Sequence, residues 1–185
     1  MKLMANDYHM VVETHSAEET RAWGSRLGRL LAPGDIIALV GELGSGKTVF
    51  VQGLAQGLGV SAAVTSPTFT LINEYRTPSG LILHHVDCYR LADAVLEMWD
   101  IGLTDLLAGE DIVVIEWADR VAGLLPQAYL EVSFFYLDET RRRICFTGHG
   151  SQGVALLRRL EAVRGAGTLP LSQGESEQLA VPLPG

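Results

Sequence analysis

Long apolar runs are scarce in this chain of 185 residues. The longest clean aliphatic runs are Ile36–Val40 and Ile112–Ile115, far short of the ~20 apolar residues that a membrane helix needs. The segment from Met1 to Met10 has one lysine and no apolar stretch, so we predict no signal peptide. These features predict a cytoplasmic protein without a membrane segment.

Cysteine is also rare. Cys88 and Cys145 are the two cysteines of the sequence, and they form no metal-binding or redox pattern. Since disulfides are uncommon in the cytosol, we predict two reduced thiols.

Basic residues are outnumbered by acidic ones, 14 against 22, which gives a net charge of −8. A protein that holds RNA by itself normally shows a basic patch. If this chain serves RNA, we therefore expect a partner to hold the nucleic acid. Lysine occurs only as Lys2 and Lys47, against twelve arginines. A general preference for arginine is one explanation, and a function that requires the single internal lysine is the other.

The length and the balance of 48% hydrophobic and 19% charged residues fit one globular domain. We assign residues 1–164 to this domain. Residues 165–185 are rich in Gly, Pro, Ser, Gln and Glu without periodicity, which predicts a disordered tail.

Apolar periodicity and turn residues predict alternating strands and helices over the first 164 residues. Ser16 and Glu19 form a capping box at the start of the first helix. Thr77-Pro78-Ser79-Gly80 and Leu137-Asp138-Glu139-Thr140 are turns that predict two β-hairpins. The predicted strands are Tyr8–Thr14, Ile36–Val40, Phe69–Tyr75, Leu81–Val86, Ile112–Ile115, Tyr129–Tyr136 and Arg141–Thr147. The later helices are predicted at Lys47–Leu58, Ala92–Asp100 and Ser151–Arg164.

A complete phosphate-binding motif follows the second strand. Its sequence is Gly41-Glu42-Leu43-Gly44-Ser45-Gly46-Lys47-Thr48, which matches G-x-x-x-x-G-K-[ST]. Glycines let backbone N–H groups approach phosphate oxygens, and the helix N-terminus adds partial positive charge. We expect residues 43–48 to bind ATP, with Lys47 on the terminal phosphates and the Thr48 hydroxyl on Mg²⁺.

Two acidic residues at strand ends are candidates to complete the magnesium site. Glu116 ends the apolar run Ile112–Ile115, and Asp87 ends Leu81–Val86. Either acid can hold the metal, and either could be a solvated carboxylate. At least one must serve, because a triphosphate is hard to hold without its metal.

Other polar and aromatic residues have simpler interpretations. His84 and His85 point to opposite faces of an extended segment, so we interpret them as ordinary strand histidines and not as a metal site. We interpret Arg141-Arg142-Arg143 as a solvated hairpin end. Trp117 is expected in the core and not stacked on a nucleotide.

Four segments together resemble a known family. After the phosphate loop come Ser66-Pro67-Thr68-Phe69-Thr70-Leu71, then His85-Val86-Asp87-Cys88-Tyr89-Arg90-Leu91, and later Ile115-Glu116-Trp117-Ala118-Asp119. In order and spacing they are similar to the bacterial TsaE (YjeE) family, the ATPase of threonylcarbamoyladenosine synthesis on tRNA. The resemblance covers roughly residues 8–147.

The resemblance implies an α/β P-loop fold of three layers with a mixed, largely parallel sheet. It implies slow ATP hydrolysis by the chain alone and work with two partners, TsaD and TsaB, with tRNA reached through them. Thr48 and Glu116 would carry Mg²⁺, and Asp87 would act at the metal or on the attacking water. Ser66–Thr70 would form a switch-like loop, and residues near Ser16 would lie by the adenine.

Three other functions share some of these features. A small-molecule kinase also has a P-loop, but no arginine-rich lid is evident here. A GTPase would carry N-K-x-D and D-x-x-G motifs, and neither occurs. A nucleotide-binding assembly module with incidental hydrolysis would have the same motifs as an ATPase.

Overall fold

The computed structural model describes residues 8–164. Its strands are β1 (Tyr8–Thr14), β2 (Ile36–Gly41), β3 (Ile72–Arg76), β4 (Ile82–Asp87), β5 (Ile112–Glu116), β6 (Tyr129–Tyr136) and β7 (Arg142–His149). Its α-helices are α1 (Ala17–Gly28), α2 (Lys47–Gly57), α3 (Ala94–Asp100), α4 (Leu103–Ala108) and α5 (Gly150–Ala162), and a 3-10 helix covers Ala118–Leu124.

The seven strands form one mixed sheet in the order β1-β7-β6-β2-β5-β4-β3. The four central strands, β6, β2, β5 and β4, run parallel. Antiparallel pairs form the two sides, β1 with β7, β7 with β6, and β4 with β3. The predicted α/β fold with a mixed sheet and two hairpins is therefore confirmed.

Helices cover both faces of the sheet, which gives three layers. On one face, α1, α2 and α5 pack through Trp23, Leu27, Phe50, Leu54, Leu157 and Leu160. On the other face, α3, α4 and the 3-10 helix pack through Ala94, Met98, Leu103, Ala118 and Val121. Every residue of β5 is buried, as expected of a parallel strand covered on both sides.

The start of α1 agrees with its sequence signal. Ser16 is the N-cap, and its side chain accepts a hydrogen bond of 3.1 Å from the Glu19 N–H. The Glu19 carboxylate in turn accepts from the His15 N–H at 2.8 Å. The carboxylate thus bonds one residue earlier than in the usual capping box, where it would accept from the N-cap residue itself.

The parallel arrangement brings three strand ends together. β2 ends at Gly41, β4 at Asp87 and β5 at Glu116, and Asp87 and Glu116 are partners in the β4–β5 register. Ligands of open α/β sheets bind beyond the carboxyl ends of such strands. The fold therefore gathers the phosphate loop and both candidate acids at one edge.

Several boundaries differ from the sequence predictions. The strand predicted to start at Phe69 starts at Ile72 instead, because Thr70 and Leu71 donate backbone hydrogen bonds to Pro67 in a turn. Leu71 has a φ of 66°, which a strand cannot continue through. Helix α4 and the 3-10 helix were not predicted, since six or seven residues carry too little periodicity to detect.

Three further predictions concern the chain as a whole. Cys88 and Cys145 are free thiols, as predicted. Within residues 8–164 no helix is both long and apolar enough to cross a membrane, and a cytoplasmic location stays a prediction. The proposed tail, residues 165–185, lies outside the described residues.

Candidate nucleotide-binding site

The phosphate loop bends sharply between β2 and α2. Gly44 and Gly46 have φ values of 75° and 103°, a region that residues with side chains rarely adopt. A Cβ atom on Gly41 would lie 2.8 Å from the Phe134 carbonyl oxygen and 2.9 Å from Ser45 Oγ. No side chain caps the N-terminus of α2, so its first N–H groups remain available to an anion.

Lys47 is almost entirely buried in this loop, with 5% of its surface exposed. Its ammonium donates hydrogen bonds to the carbonyl oxygens of Gly41 at 2.6 Å and Glu42 at 2.8 Å. It also lies 4.1 Å from the centre of the Trp117 ring. Burial lowers the pKa of Lys47 from its usual value, and the nearby Glu116 and Asp87 carboxylates oppose that change. The loop thus holds a poorly solvated cation that a phosphate can attract.

Glu116, one of the two predicted metal ligands on the sheet, is bonded to the start of α2. The Thr48 hydroxyl donates to both carboxylate oxygens, at 2.9 and 3.1 Å. His85 on β4 places its Nε2 2.8 Å from Glu116 Oε1. Glu116 is 3% exposed and His85 is fully buried, so these contacts compensate a carboxylate that has lost most of its water.

Asp87 is held by the loop that follows α2. Its Oδ2 accepts hydrogen bonds from Ser66 Oγ at 3.0 Å and Thr68 Oγ1 at 3.1 Å. Its Oδ1 accepts from the Tyr89 N–H at 2.8 Å. The predicted switch-like loop, residues 66–70, is therefore bonded directly to one of the two candidate acids.

These groups share one cavity of about 230 Å³. All predicted ATP-binding, metal and catalytic residues line it, namely Leu43, Gly44, Ser45, Gly46, Lys47, Thr48, Asp87 and Glu116. Val49, Ser66, Thr68, Tyr89 and Trp117 complete the lining. The geometry brings the predicted residues together, while their individual roles stay predictions.

A second cavity of about 370 Å³ lies on the other side of Gly44 and Gly46. It is lined by the start of α1, by Val49 and by the β6–β7 turn, through Ser16, Ala17, Glu18, Thr20, Glu139, Thr140 and Arg142. The guanidinium of Arg142 donates to the Gly44 carbonyl oxygen at 3.3 Å. The cavity therefore adjoins the phosphate loop beside the residues near Ser16 expected at the adenine.

Oxygen ligands at the first cavity fit Mg²⁺, which prefers carboxylate, hydroxyl and phosphate oxygens. Among residues 8–164, no group of three or more His, Cys, Asp or Glu side chains is arranged to hold a metal ion. The Thr48–Glu116 pair would supply only two protein ligands to such an ion, so phosphate and water oxygens would have to complete the coordination.

The sequence did not predict the contacts that four residues make at the site. His85 was interpreted as an ordinary strand histidine, but it contacts Glu116. Trp117 packs against the core under α3, and it also covers Lys47. Tyr89 stacks near Trp117, with ring centres 4.8 Å apart. Arg142 reaches the phosphate loop, whereas Arg141 and Arg143 form surface ion pairs with Asp138 and Glu13. A usable signal was the spacing of His85 and Asp87, which places both side chains on one face of β4.

Comparison with known proteins identifies the family of the chain. The family described as "Threonylcarbamoyl adenosine biosynthesis protein TsaE" matches residues 14–144. The TsaE protein of Treponema pallidum is 44% identical, over 71% of this chain and 95% of its own length. The Bacillus subtilis TsaE is 39% identical, over 75% of this chain and 85% of its own.

A solved structure has the same fold. The crystal structure of YdiB from Bacillus subtilis superposes with a TM-score of 0.75 at 31% identity, covering 88% of this chain and all of YdiB. This chain therefore belongs to the TsaE family of threonylcarbamoyladenosine biosynthesis proteins.

Proposed function

We propose that this chain is a Mg²⁺-dependent ATPase that supports threonylcarbamoyl transfer to adenosine of tRNA together with TsaD and TsaB. One observation carries the proposal. A complete phosphate loop places Lys47 and Thr48 in the same cavity as two buried acids, Asp87 and Glu116. Family membership supports the role in tRNA modification, and the residues of the cavity support ATP hydrolysis.

Lys47 and the N-terminus of α2 bind the triphosphate. The Lys47 ammonium is bonded to two loop carbonyls, Gly41 and Glu42, and it would exchange them for terminal phosphate oxygens. A charge-assisted bond to phosphate is stronger than a bond to a neutral carbonyl, so the exchange is favourable. Trp117 keeps water away from one side of the ammonium.

Thr48 and Glu116 would hold Mg²⁺, since their oxygen atoms already lie 2.9 Å apart. The metal would neutralise charge that develops on the phosphates during hydrolysis. His85 contacts the same carboxylate at Oε1 and would help to keep Glu116 in place. Asp87 lines the same cavity and would orient a water or bind one that the metal holds.

The second cavity would accommodate the base and sugar. It continues from Gly44 and Gly46 and is bordered by the start of α1 and by Arg142. A nucleoside bound there would place its phosphates along the loop. The preference for ATP over GTP rests on the sequence, which has no guanine-binding motif. Adenine as the bound base is therefore proposed together with the function.

Dependence on partners follows from the charges in the cavity. Phosphoryl transfer commonly uses an arginine that is worth ~10³ or more in rate. Among the residues that line the first cavity, Lys47 is the only cation. An external arginine, or an external contact that orders residues 66–70, would therefore raise a slow basal rate.

The test is a steady-state ATPase assay at fixed salt, with TsaD and TsaB added singly and together. We expect slow phosphate release by the chain alone and a strong increase with both partners. Lys47→Ala is the inactive control, and its melting temperature checks that it is folded. Fast turnover unchanged by partners, or transfer of the γ-phosphate to a metabolite, would instead indicate an independent hydrolase or a small-molecule kinase.

A further inference from the structure

The outer side of α3 exposes large apolar side chains. Leu96 and Trp99 are 62% and 59% exposed, and Val95 and Ile101 lie beside them with 39% and 46% exposed. Residues 95, 96 and 99 fall within one stripe of the helix, on the side away from the buried Ala94 and Met98. An exposed apolar stripe on a helix commonly marks an interaction site.

Acidic residues surround this stripe. Asp93 and Asp100 bound the helix and Glu97 lies within it, all three exposed. The whole stretch from Leu91 to Asp119 holds eight Asp or Glu residues and no Lys or Arg. Its charge equals the net charge of −8 of the complete chain, so the rest of the chain is neutral overall.

We propose that a protein partner docks on this face of α3, which is defined by Val95, Leu96, Trp99, Asp100 and Ile101. The partner would present an apolar cleft that is flanked by lysine or arginine. The inference rests on the proposed function, in which TsaD and TsaB are the partners. It adds which surface of this chain meets them and what chemistry they must present. Tryptophan is one of the residue types enriched at the energetic centre of interfaces.

The negative charge of this face argues against four other binding partners: RNA, an anionic membrane, a second copy of the chain and residues 165–185. RNA and anionic lipid surfaces carry negative charge, which this face would repel. A second copy of the chain would bring acid against acid, a costly arrangement. Residues 165–185 contain two glutamates and no lysine or arginine, so they offer no complementary charge either.

Helix α3 is also connected to the two segments that carry the acids of the candidate site, Asp87 and Glu116. Its N-cap, Asp93, lies six positions after Asp87, and the helix packs on the 3-10 helix that follows Trp117. Arg120 of the 3-10 helix donates to the carbonyl oxygens of Cys88, Tyr89 and Leu91. A partner bound to α3 would therefore contact a helix that is joined to the segments carrying Asp87 and Glu116. Because a shift of α3 would move these segments, binding there can change the hydrolysis rate.

The experiment measures binding of the chain to a purified TsaD–TsaB complex from the same organism by calorimetry, at two salt concentrations. Leu96→Ser/Trp99→Ala should raise Kd by ~30-fold or more. Asp100→Lys should raise it by ~3- to 10-fold and weaken its salt dependence. Lysine at the C-terminal end of a helix is favourable, so this second variant should keep its fold. Phe135→Ser is the matched control, because Phe135 is 49% exposed on β6, outside this face.

Three outcomes separate the possibilities. Weaker binding by these factors and reduced ATPase stimulation in both α3 variants, with basal hydrolysis and the Phe135→Ser control unchanged, support the surface. Wild-type affinity in both α3 variants overturns the surface but leaves the proposed function intact. Failure of the unmodified chain to bind the complex removes both the partners of the proposed function and the occupant of α3.

Discussion

At the scale of single residues, Glu116 depends on partners from two different elements. Thr48 at the start of α2 and His85 on β4 both bond its carboxylate. A contact from His85 to Oε1 requires the ring hydrogen on Nε2, and the buried Nδ1 atom then has no hydrogen-bond partner among the described residues. We therefore expect His85 to be a positioning residue, which would act on the proposed magnesium site only through Glu116.

Replacing His85 tests this role. We expect His85→Leu to raise the Mg²⁺ concentration needed for half-maximal hydrolysis by ~10-fold or more, as for other residues that orient metal ligands. His85→Gln keeps an N–H donor and should restore part of the effect. The measurements are ATPase rates over a magnesium series and Mg²⁺-dependent binding of a fluorescent ATP analogue. A normal magnesium dependence in the leucine variant would reduce His85 to a packing residue.

The residues of the site differ in how far the sequence could predict them. Residues 41–48 form a contiguous motif whose backbone shape follows from its glycines, so the phosphate loop was predictable. Asp87 and Glu116 were predictable as strand ends, because parallel strands end at one edge of a sheet. His85 and Trp117 were not. The spacing of His85 and Asp87 places both side chains on one face of β4, but it does not reveal their partners. The contacts of His85 with Glu116 and of Trp117 with Lys47 join residues that are distant in sequence, so no local pattern predicts them.

At the scale of elements, the loop of residues 66–71 is tied to the site by two side chains. Ser66 and Thr68 bond Asp87, whereas Phe69 is 83% exposed and contacts only the guanidinium of Arg90 among the ring contacts described. A loop with few buried contacts changes conformation readily. Because Ser66 and Thr68 are bonded to Asp87, a change in the loop would also move the Asp87 carboxylate.

The coupling can be measured with paired variants. Ser66→Ala/Thr68→Val removes both side-chain bonds to Asp87, and we expect kcat to fall by ~10-fold or more. ATP affinity should change little, because neither residue belongs to the phosphate loop. Thr70→Ala is the control, since Thr70 bonds Asn73 and not Asp87. Equal kcat values in the three proteins would mean that the loop does not orient Asp87.

Helices α1 and α2 pack against each other through glycines. A Cβ atom on Gly53 would lie 1.9 Å from the Arg21 carbonyl oxygen, and one on Gly24 would lie 2.1 Å from the Phe50 carbonyl oxygen. Backbone atoms cannot yield at such distances without separating the helices. This close approach was not predictable, because the sequence does not show which glycines of two helices face each other.

The stability of this contact gives a direct prediction. Gly53→Ala should lower the free energy of unfolding by about 3 kcal/mol, as overpacking does, although alanine favours a helix. The melting temperature should fall by roughly 6–12 °C. Gly123→Ala is the control, because a Cβ atom there meets nothing within 4 Å. A stable Gly53→Ala protein would show that the two helices can separate at little cost.

At the scale of the whole molecule, charge is distributed unevenly. The excess of acid lies in residues 91–119, whereas the densest basic group is Arg141-Arg142-Arg143 at the β6–β7 turn. These arginines have partners within the chain, Asp138, the Gly44 carbonyl and Glu13. The chain therefore offers RNA no unengaged basic surface at this turn.

This distribution predicts that the isolated chain does not hold tRNA. Affinity for nucleic acid comes mostly from neutralising phosphates, and a chain with a charge of −8 whose turn arginines are paired has little to offer. We expect a Kd for tRNA weaker than ~100 μM at physiological salt by fluorescence polarisation, since even non-specific binders reach ~10⁻⁴ to 10⁻⁶ M. Adding TsaD and TsaB should make binding measurable, with a salt dependence that belongs to those proteins. Binding by the chain alone below ~1 μM, lost in an Arg142→Ala/Arg143→Ala variant, would instead make the β6–β7 turn an RNA contact and contradict the assignment of tRNA binding to the partners.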